Sequence, residues 1–447
     1  MQFSPWWWCA APPSSPPAGS SAEPAALPAQ IDVAVIGGGF TGLAAALTLA
    51  GAGRGVLLLE AAALGCGAST RNGGQVGSGN QKFAAHTLIA RYGRERAVAL
   101  LREGTQMLEH IAALVAEQGI DCHFARVGRF RGALRPAHYQ RMAREMEDLQ
   151  RLAGVEFEML PRAAQHREIA SDAYHGGALL PNDAAVHPAL LHRGLAERAT
   201  AAGALLIEHT PLRAIRRDGA GFRLQTDRGS LRAGAVVATT NGYSGAALPA
   251  LRRRTVAVGS SIIATEELPA GRIAELLPGG RVYGDSARVF NYYRASPDGR
   301  RILFGGRSAW PLSSVGEAVP GVEPDGGWRQ FRHLYHDLLA VFPQLDGVRI
   351  SHAWHGWLGF TRDGLPGAAQ LQFGEHAGIW YALGYCGTGV SRSLWFGRKV
   401  ALKLLGDAEG ASAFDGLDLR PFAMRRAAPL GVAASTAWYR LRDALER

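Results

Sequence analysis

Lysine is nearly missing from this chain: of 48 basic residues only Lys82, Lys399 and Lys403 are lysines. The formal net charge of +10 is therefore an arginine excess, and it is scattered, with only short runs such as Arg252-Arg253-Arg254. It lacks the basic and aromatic platform that grips single strands, so no nucleic-acid partner is expected. A coding bias toward arginine is the favoured account, and a mild positive field that attracts anionic cofactors and substrates the alternative. Cysteine is scarce as well. Cys9, Cys66, Cys122 and Cys386 contain no CxxC pair, which argues against a zinc site or a dithiol motif. Sparse, unpaired thiols fit a reducing compartment, and the cytoplasm is the expected location. No stretch reaches the roughly 18 apolar residues of a membrane span. Residues 1–30 hold Trp6-Trp7-Trp8 and then a Pro/Ser/Ala-rich run, without the basic start and apolar centre of a secretory signal. They are expected to form a flexible arm whose tryptophans dock on a neighbour.

What is present is enough apolar material for two cores: 447 residues, 47% hydrophobic and 19% charged. Ile31 to Ile36 reads as a buried strand, Leu43 to Ala52 as a helix, and Val56 to Leu59 as a second buried strand. Together they form a βαβ unit. Helical patterns follow over 84–118 and 136–153, and strands over Ala204–Glu208, Phe222–Thr226 and Ala235–Ala238. Short alternating segments over 255–310, with the turn Pro297-Asp298-Gly299, predict an antiparallel sheet and a different layer architecture. Trp328 to Phe342 is helical. Ile379 to Leu383 is a strand leading into the turn Gly384–Gly389 and a helix to Leu405. A last amphipathic helix covers 435–446.

The chemistry concentrates at Gly37-Gly38-Gly39-Phe40-Thr41-Gly42, between the first strand and the first helix. Gly37 permits the tight turn, Gly39 lets backbone approach a pyrophosphate, and Gly42 lets helix and strand pack closely. The diphosphate meets the helix N-terminus, with its free N–H groups and positive dipole end. Glu60, followed by Ala61, ends the second strand and is placed to accept both hydroxyls of a ribose. A glycine turn for packing alone would not account for Glu60. The loop Ser69-Thr70-Arg71-Asn72-Gly73-Gly74-Gln75 offers hydroxyls, a guanidinium and flexible backbone to wrap the diphosphate and reach a flavin ring. The second turn, Gly384 with Gly387-Thr388-Gly389-Val390, aims a helix dipole at the charge that develops on a reduced flavin. FAD is favoured over a nicotinamide cofactor on these two elements.

These segments resemble the D-amino-acid oxidase superfamily of FAD proteins, and more narrowly its bacterial gamma-glutamylputrescine oxidase branch. The matching motifs also include Ala238-Thr239-Thr240-Asn241-Gly242-Tyr243, Asn291-Tyr292-Tyr293-Arg294, Leu303-Phe304-Gly305-Gly306-Arg307 and Gly359-Phe360-Thr361-Arg362-Asp363-Gly364-Leu365-Pro366. The resemblance implies an α/β FAD-binding domain of the glutathione-reductase-like Rossmann type, plus an α+β substrate domain with an antiparallel sheet. The expected division gives 31–100, 175–250 and 350–447 to the FAD domain, and 101–174 and 251–349 to the substrate domain. The resemblance also implies non-covalent FAD, adenine against the backbone of Leu212, Thr239 and Asn241 at the cofactor, and Gly384 to Val390 lining the flavin. Thr70, Thr388 and Gly367-Ala368-Ala369 depart from the family pattern.

The expected activity is oxidation of the C–N bond of a small amine or amino acid, with hydride transfer to the flavin and oxygen as acceptor. The alternatives are a D-amino-acid, glycine or proline-type dehydrogenase feeding a quinone or carrier, and a non-catalytic flavin-binding regulator. Tyr292, Tyr293, Trp354 and Trp357 are candidates for an aromatic wall, against the rival role of core aromatics. Tyr293 and Trp354 are named as catalytic with Arg294 and Arg307; for each arginine a bidentate contact to a substrate carboxylate stands against an equally favoured structural ion pair. His352 and His355 read as satisfied strand histidines. Lys82 is the lysine considered for oxygen reduction.

Overall fold

The computed structural model describes residues 1–13, 26–78, 83–307, 327–372, 374–423 and 425–445. In chain order its strands are β1 (Gln30–Ile36), β2 (Val56–Leu59), β3 (Gln75–Val76), β4 (Arg129–Gly132), β5 (Glu158–Leu160), β6 (Gly177–Leu180), β7 (Ala184–Ala185), β8 (Leu205–Ile207), β9 (Leu212–Asp218) and β10 (Gly221–Thr226). They continue as β11 (Gly229–Ala238), β12 (Val256–Thr265), β13 (Val282–Asp285), β14 (Asn291–Ala295), β15 (Ile302–Arg307), β16 (Ile350–Phe360), β17 (Gly367–Gln370) and β18 (Trp380–Leu383). The α-helices are α1 (Phe40–Gly51), α2 (Ala85–Tyr92), α3 (Arg94–Glu117), α4 (Pro136–Ala153), α5 (Pro188–Ala201), α6 (Pro249–Arg252), α7 (Arg272–Leu276), α8 (Arg332–Val341), α9 (Gly389–Leu405) and α10 (Ala428–Leu445).

The first sheet runs β17-β18-β11-β1-β2-β8, with β10 and β9 branching from β11. Its centre is parallel, β11 on β1 and β1 on β2. Parallel strands are covered on both faces, which explains their unbroken apolar runs. Val33, Val35, Val56 and Leu58 face a helical layer of α1, α5 and α9. Ala34, Ile36, Leu57 and Leu59 face the core beneath β9, β10 and α6.

The second sheet runs β16-β12-β15-β14-β13-β4-β6-β5. The strands of 255–310 pair antiparallel as expected, β12 on β15, β15 on β14 and β14 on β13, and the sheet continues through one parallel pairing, β13 on β4. The expected domain limits shift. β6 and β16 both belong to the second sheet, although residues from 175 and from 350 were assigned to the FAD domain. β12 is buried along its whole length and needs β16 as its antiparallel partner. The part of α3 from residue 101, assigned to the substrate domain, buries Met107, Leu108 and Ile111 in the core that α1 and α9 share.

The start of the chain is not a loose arm docked on a neighbour. Gln2 joins β16, donating its N–H to Ser351 O and accepting from Ala353 N–H. Trp6–Cys9 forms a 3-10 turn with Trp7 fully buried. The Pro/Ser/Ala-rich run of this expected arm lies mostly outside the described residues.

Candidate active site

Two glycine turns converge at the C-terminal edge of the first sheet. In the first, Gly37 has φ +105, a backbone state that disfavours any side chain. A Cβ on Gly42 would overlap the Gly37 carbonyl oxygen. Thr239, just past β11, donates its hydroxyl to the carbonyls of Ile36 at 2.8 Å and Gly37 at 3.0 Å. The cap of α1 is Gly39, which makes no side-chain cap bond, so the helix start presents N–H groups outward. Phe40 N–H donates to Ser69 Oγ at 2.9 Å, which ties this turn to the neighbouring loop. In the second turn, Thr388 caps α9 without a side-chain cap bond, because its hydroxyl donates backward to Tyr385 O at 3.0 Å. Tyr385 Oη and Thr41 Oγ1 lie 2.8 Å apart and link the two turns. Asn241, at φ +43, accepts Gly384 N–H through Oδ1 at 2.9 Å.

Glu60 closes the first turn. Its Oε2 accepts Gly38 N–H at 2.7 Å and its Oε1 accepts Ala62 N–H at 3.1 Å. Burial pushes its carboxyl above the usual range, against the pull of the Gly38, Ala62 and Ala61 amides. A carboxylate accepts about four hydrogen bonds, so capacity remains for sugar hydroxyls. Leu212 begins β9 two residues after Thr210, whose N–H donates to Glu60 O at 2.8 Å. It stands at the same end of the site. These features fit FAD: two open helix starts for its anionic groups, an acidic side chain with spare acceptors, and Gly387 with only Leu358 near the position of a Cβ.

The loop Ser69–Gln75 is held by groups that sequence reasoning assigned elsewhere. Trp354, fully buried, donates Nε1–H to Arg71 O at 3.0 Å. Trp7 donates Nε1–H to Asn72 O at 2.8 Å. Arg294 donates through one nitrogen to Gly74 O at 3.0 Å and Val186 O at 2.9 Å, and burial lowers its pKa to about 10. Trp354 and Arg294 are therefore struts beneath the loop and are not directed at a substrate. Arg71 is also a pin: Nε donates to Cys66 O at 2.7 Å, Nη1 to His355 O at 3.0 Å, and the guanidinium lies over Trp8 at 4.6 Å. Thr70 takes Trp8 Nε1–H at 2.9 Å and donates to Gly65 O. Asn72 accepts Gly74 N–H at 2.9 Å and donates to Ser69 O at 2.8 Å. Gln75 donates to the carbonyls of Tyr283 and Tyr293, both at 3.1 Å.

Strand alternation sorts the second sheet. Tyr293 points away from the loop into the core beneath α8, stacked on Phe304 with centroids 5.2 Å apart and its Oη 2.8 Å from Tyr174 Oη. Its expected catalytic role is corrected to a core role. The neighbouring Tyr292 takes the loop face. Its ring lies where a Cβ on Gly305 would come within 2.6 Å and one on Gly73 within 2.9 Å. Its Oη is 2.9 Å from Ser260 Oγ. Arg307 pairs across the sheet with Ser260, on the same face. Its guanidinium lies over Phe360 at 5.7 Å, and burial lowers its pKa. It has no ion pair among the described residues.

His352 and His355 have partners, Ser351 Oγ at 3.0 Å and Ser261 Oγ at 2.7 Å. Sequence reasoning missed His192, whose Nε2–H donates to Gly38 O at 2.7 Å and which burial holds neutral. Its setting in α5, beside Leu191 and Leu195, gives no local signal. Lys399 donates to Glu409 O and Ala411 O, and Lys403 to Ala368 O and Asp415. Lys399 stands ten residues into α9, roughly 15 Å from its start at the site. Lys82 lies outside the described residues.

The family model described as DAO, FAD dependent oxidoreductase, matches residues 32–402. The chain is 33% identical over 420 residues to gamma-glutamylputrescine oxidoreductase of Escherichia coli (strain K12), covering 93% of each chain. It is 27% identical over 413 residues to glycine oxidase of Geobacillus kaustophilus (strain HTA426), covering 89% of this chain and 97% of that one. The crystal structure of glycine oxidase from Geobacillus kaustophilus superposes with a TM-score of 0.71 at 22% identity, covering 88% of this chain and 99% of that one. That of L-proline dehydrogenase from P.horikoshii gives 0.69 at 18% identity, covering 88% and 100%. The two-sheet fold, the paired glycine turns and the family match agree: this chain belongs to the DAO family and is an FAD-dependent oxidoreductase.

Proposed function

We propose that this FAD-dependent oxidoreductase oxidises the carbon–nitrogen bond of a small amine, with a gamma-glutamylated amine such as gamma-glutamylputrescine as the favoured substrate and oxygen as the acceptor. The observation that carries the reading is Arg307, a half-buried cation without an ion pair among the described residues, on the sheet face that looks at the Ser69–Gln75 loop. A substrate carboxylate supplies the missing partner in bidentate form. The relatives support the choice of bond: one is named for gamma-glutamylputrescine and another for glycine.

Bound FAD supplies the two-electron chemistry. The chain's own residues hold and orient. Glu60 takes the ribose, with the Leu212 backbone at the adenine end. The α1 start, with Ser69 and the loop amides, would hold the diphosphate, and the α9 start would stabilise charge developing on the flavin. Tyr292 walls the substrate side. FAD is held without a covalent link. No Ser/His/Asp set is needed, because orientation and electrostatics do the work.

The lysines favour a second reading of the acceptor. Both described ones are spent on carbonyls and a carboxylate away from the two glycine turns. A dehydrogenase that passes electrons to a quinone or carrier fits that placement. The free thiols at all four cysteines support a cytoplasmic setting. Purified protein is expected to show a flavin spectrum and to release peroxide in an amine panel led by gamma-glutamylputrescine. Mixing the reduced enzyme with air-saturated buffer separates the acceptors: flavin that stays bleached for minutes excludes the oxidase.

A further inference from the structure

The last helix lies across one end of the second sheet. The end of β16, the start of β12, the end of β15 and the start of β14 fall at the same edge, because each of these strands runs antiparallel to its neighbour. One part of α10 is seated at β16: Val432 and Phe360 both pack on Val256 and Val258. The other is seated just before β14: Asp443 takes the Arg288 guanidinium at 2.8 Å and the N–H groups of Arg288 and Val289. From Val432 to Asp443 the helix rises roughly 16 Å. Crossing from β16 to β14 takes three strand spacings, roughly 14 Å. The helix therefore spans the four strand ends, and its middle passes the end of β15, which is Arg307. The face it crosses is the one that looks at the cofactor loop. Val256, Val258 and Ser260 alternate along β12, Ser260 pairs with Arg307, and the Arg307 guanidinium lies over Phe360 at 5.7 Å.

The middle of α10 brings polar groups to this place. Thr436, Tyr439 and Arg440 stand at i, i+3 and i+4 and so share one side of the helix. Thr436 is buried, and its hydroxyl has no partner among the described residues. Tyr439 and Arg440 both act on Arg307: burial lowers the pKa of that guanidinium, Tyr439 opposes the fall and the Arg440 charge adds to it. Arg440 is itself half-buried, and burial lowers its pKa against the pull of Asp337 on α8. Two guanidiniums on one half-buried wall repel a cationic group and favour an anion beside them. A carboxylate suits both, and the Thr436 hydroxyl and Tyr439 phenol are further donors for it. We propose that α10 is the outer wall of the substrate site, where Tyr439 and Arg440 join Arg307 to take the carboxylate-bearing end of the substrate and turn away plain diamines. The inference rests on the reading that Arg307 faces the substrate. It extends the site to a helix beyond residues 32–402, outside the family match.

The test titrates the FAD-loaded full chain with glutarate, an unreactive dicarboxylate, and reads binding from the change in the flavin spectrum. In parallel, kcat/KM is measured for gamma-glutamylputrescine and for putrescine, which has no carboxylate. Arg440→Met is expected to weaken glutarate binding at least about tenfold and to lower kcat/KM for gamma-glutamylputrescine likewise. For putrescine kcat/KM is expected to rise, because a repelling charge is gone. Tyr439→Phe is expected to give a smaller loss of glutarate, and Arg440→Lys, which keeps the charge, to fall between wild type and Arg440→Met. These two conservative variants carry the test if Arg440→Met loses flavin or stability. Arg307→Met separates the two readings. If it weakens glutarate and the α10 variants do not, the Arg307 reading stands and the α10 proposal is overturned. If none of the variants alters glutarate binding, both fall. An equal drop in kcat/KM for the two amines also overturns the proposal, since a helix with only a structural role acts on both alike.

Discussion

Glu60 spends two of its acceptor positions on the turn it closes, Gly38 N–H and Ala62 N–H, and keeps the rest for ligand. Glu60→Gln keeps the shape and removes the charge that strengthens bonds to sugar hydroxyls. A charge-assisted bond contributes about 1.5–3 kcal/mol, so FAD affinity is expected to fall at least about tenfold when apoprotein is titrated with FAD. Unchanged affinity would remove Glu60 from the ribose site. Arg307→Met tests the substrate side. Losing a bidentate carboxylate contact raises KM by about ten- to a hundredfold with kcat nearly constant. Steady-state kinetics read this directly, and an unaltered KM shows that the substrate carboxylate lies elsewhere. What was legible in the sequence was geometry set by local backbone. Gly37, Gly42 and Glu60 are tied to one turn and two neighbouring strands. Arg294 and Trp354 were misread because their partners, the carbonyls of Gly74 and Arg71, lie more than two hundred positions away. A motif shows that such residues matter without showing which way they point.

At the scale of elements, the N-terminal turn Trp6–Cys9 acts as a strap across the cofactor loop. Trp7 and Trp8 each donate an indole N–H to it, at Asn72 O and Thr70 Oγ1. Trp8→Phe deletes one such bond and leaves the ring over Arg71. The net loss of about 1 kcal/mol predicts a roughly fivefold weaker hold on FAD, read from apoprotein reconstitution, with little change in the melting point of the FAD-free protein. The threonine that departs from the family pattern at position 70 is thus the strap's acceptor. Strand phase decided the other element-level outcome. Tyr292 and Tyr293 are equally aromatic in the sequence, and a period of two sends one to the loop and the other to the core. Nothing in the five residues of β14 says which face is which. That is fixed by its neighbours β13 and β15 and by the gap that Gly305 leaves.

For the whole molecule, the parallel core could be read because strand, turn and helix follow one another within one unit. The second sheet could not be bounded, since β4 and β6 come from one part of the chain, β12 to β15 from another, and β16 from a third. Its pH response follows from buried neutral histidines. Burial lowers His110, His187 and His333 from 6.5 to about 4 and His355 to about 3. The unfolded chain takes up these protons first. The stability tied to them is present above about pH 6.5 and is lost as pH falls through that value toward 3. Melting points measured across that window are expected to drop steadily, and a flat profile would mean that these rings reach water. Gln75 bonds to three strands of the second sheet. Its amide nitrogen holds Tyr283 O and Tyr293 O, and its oxygen takes Arg129, each at 3.1 Å, so the Ser69–Gln75 loop is sewn into the second sheet. Opening the enzyme like a book would tear that stitch. In calorimetry both halves should melt together as a single peak.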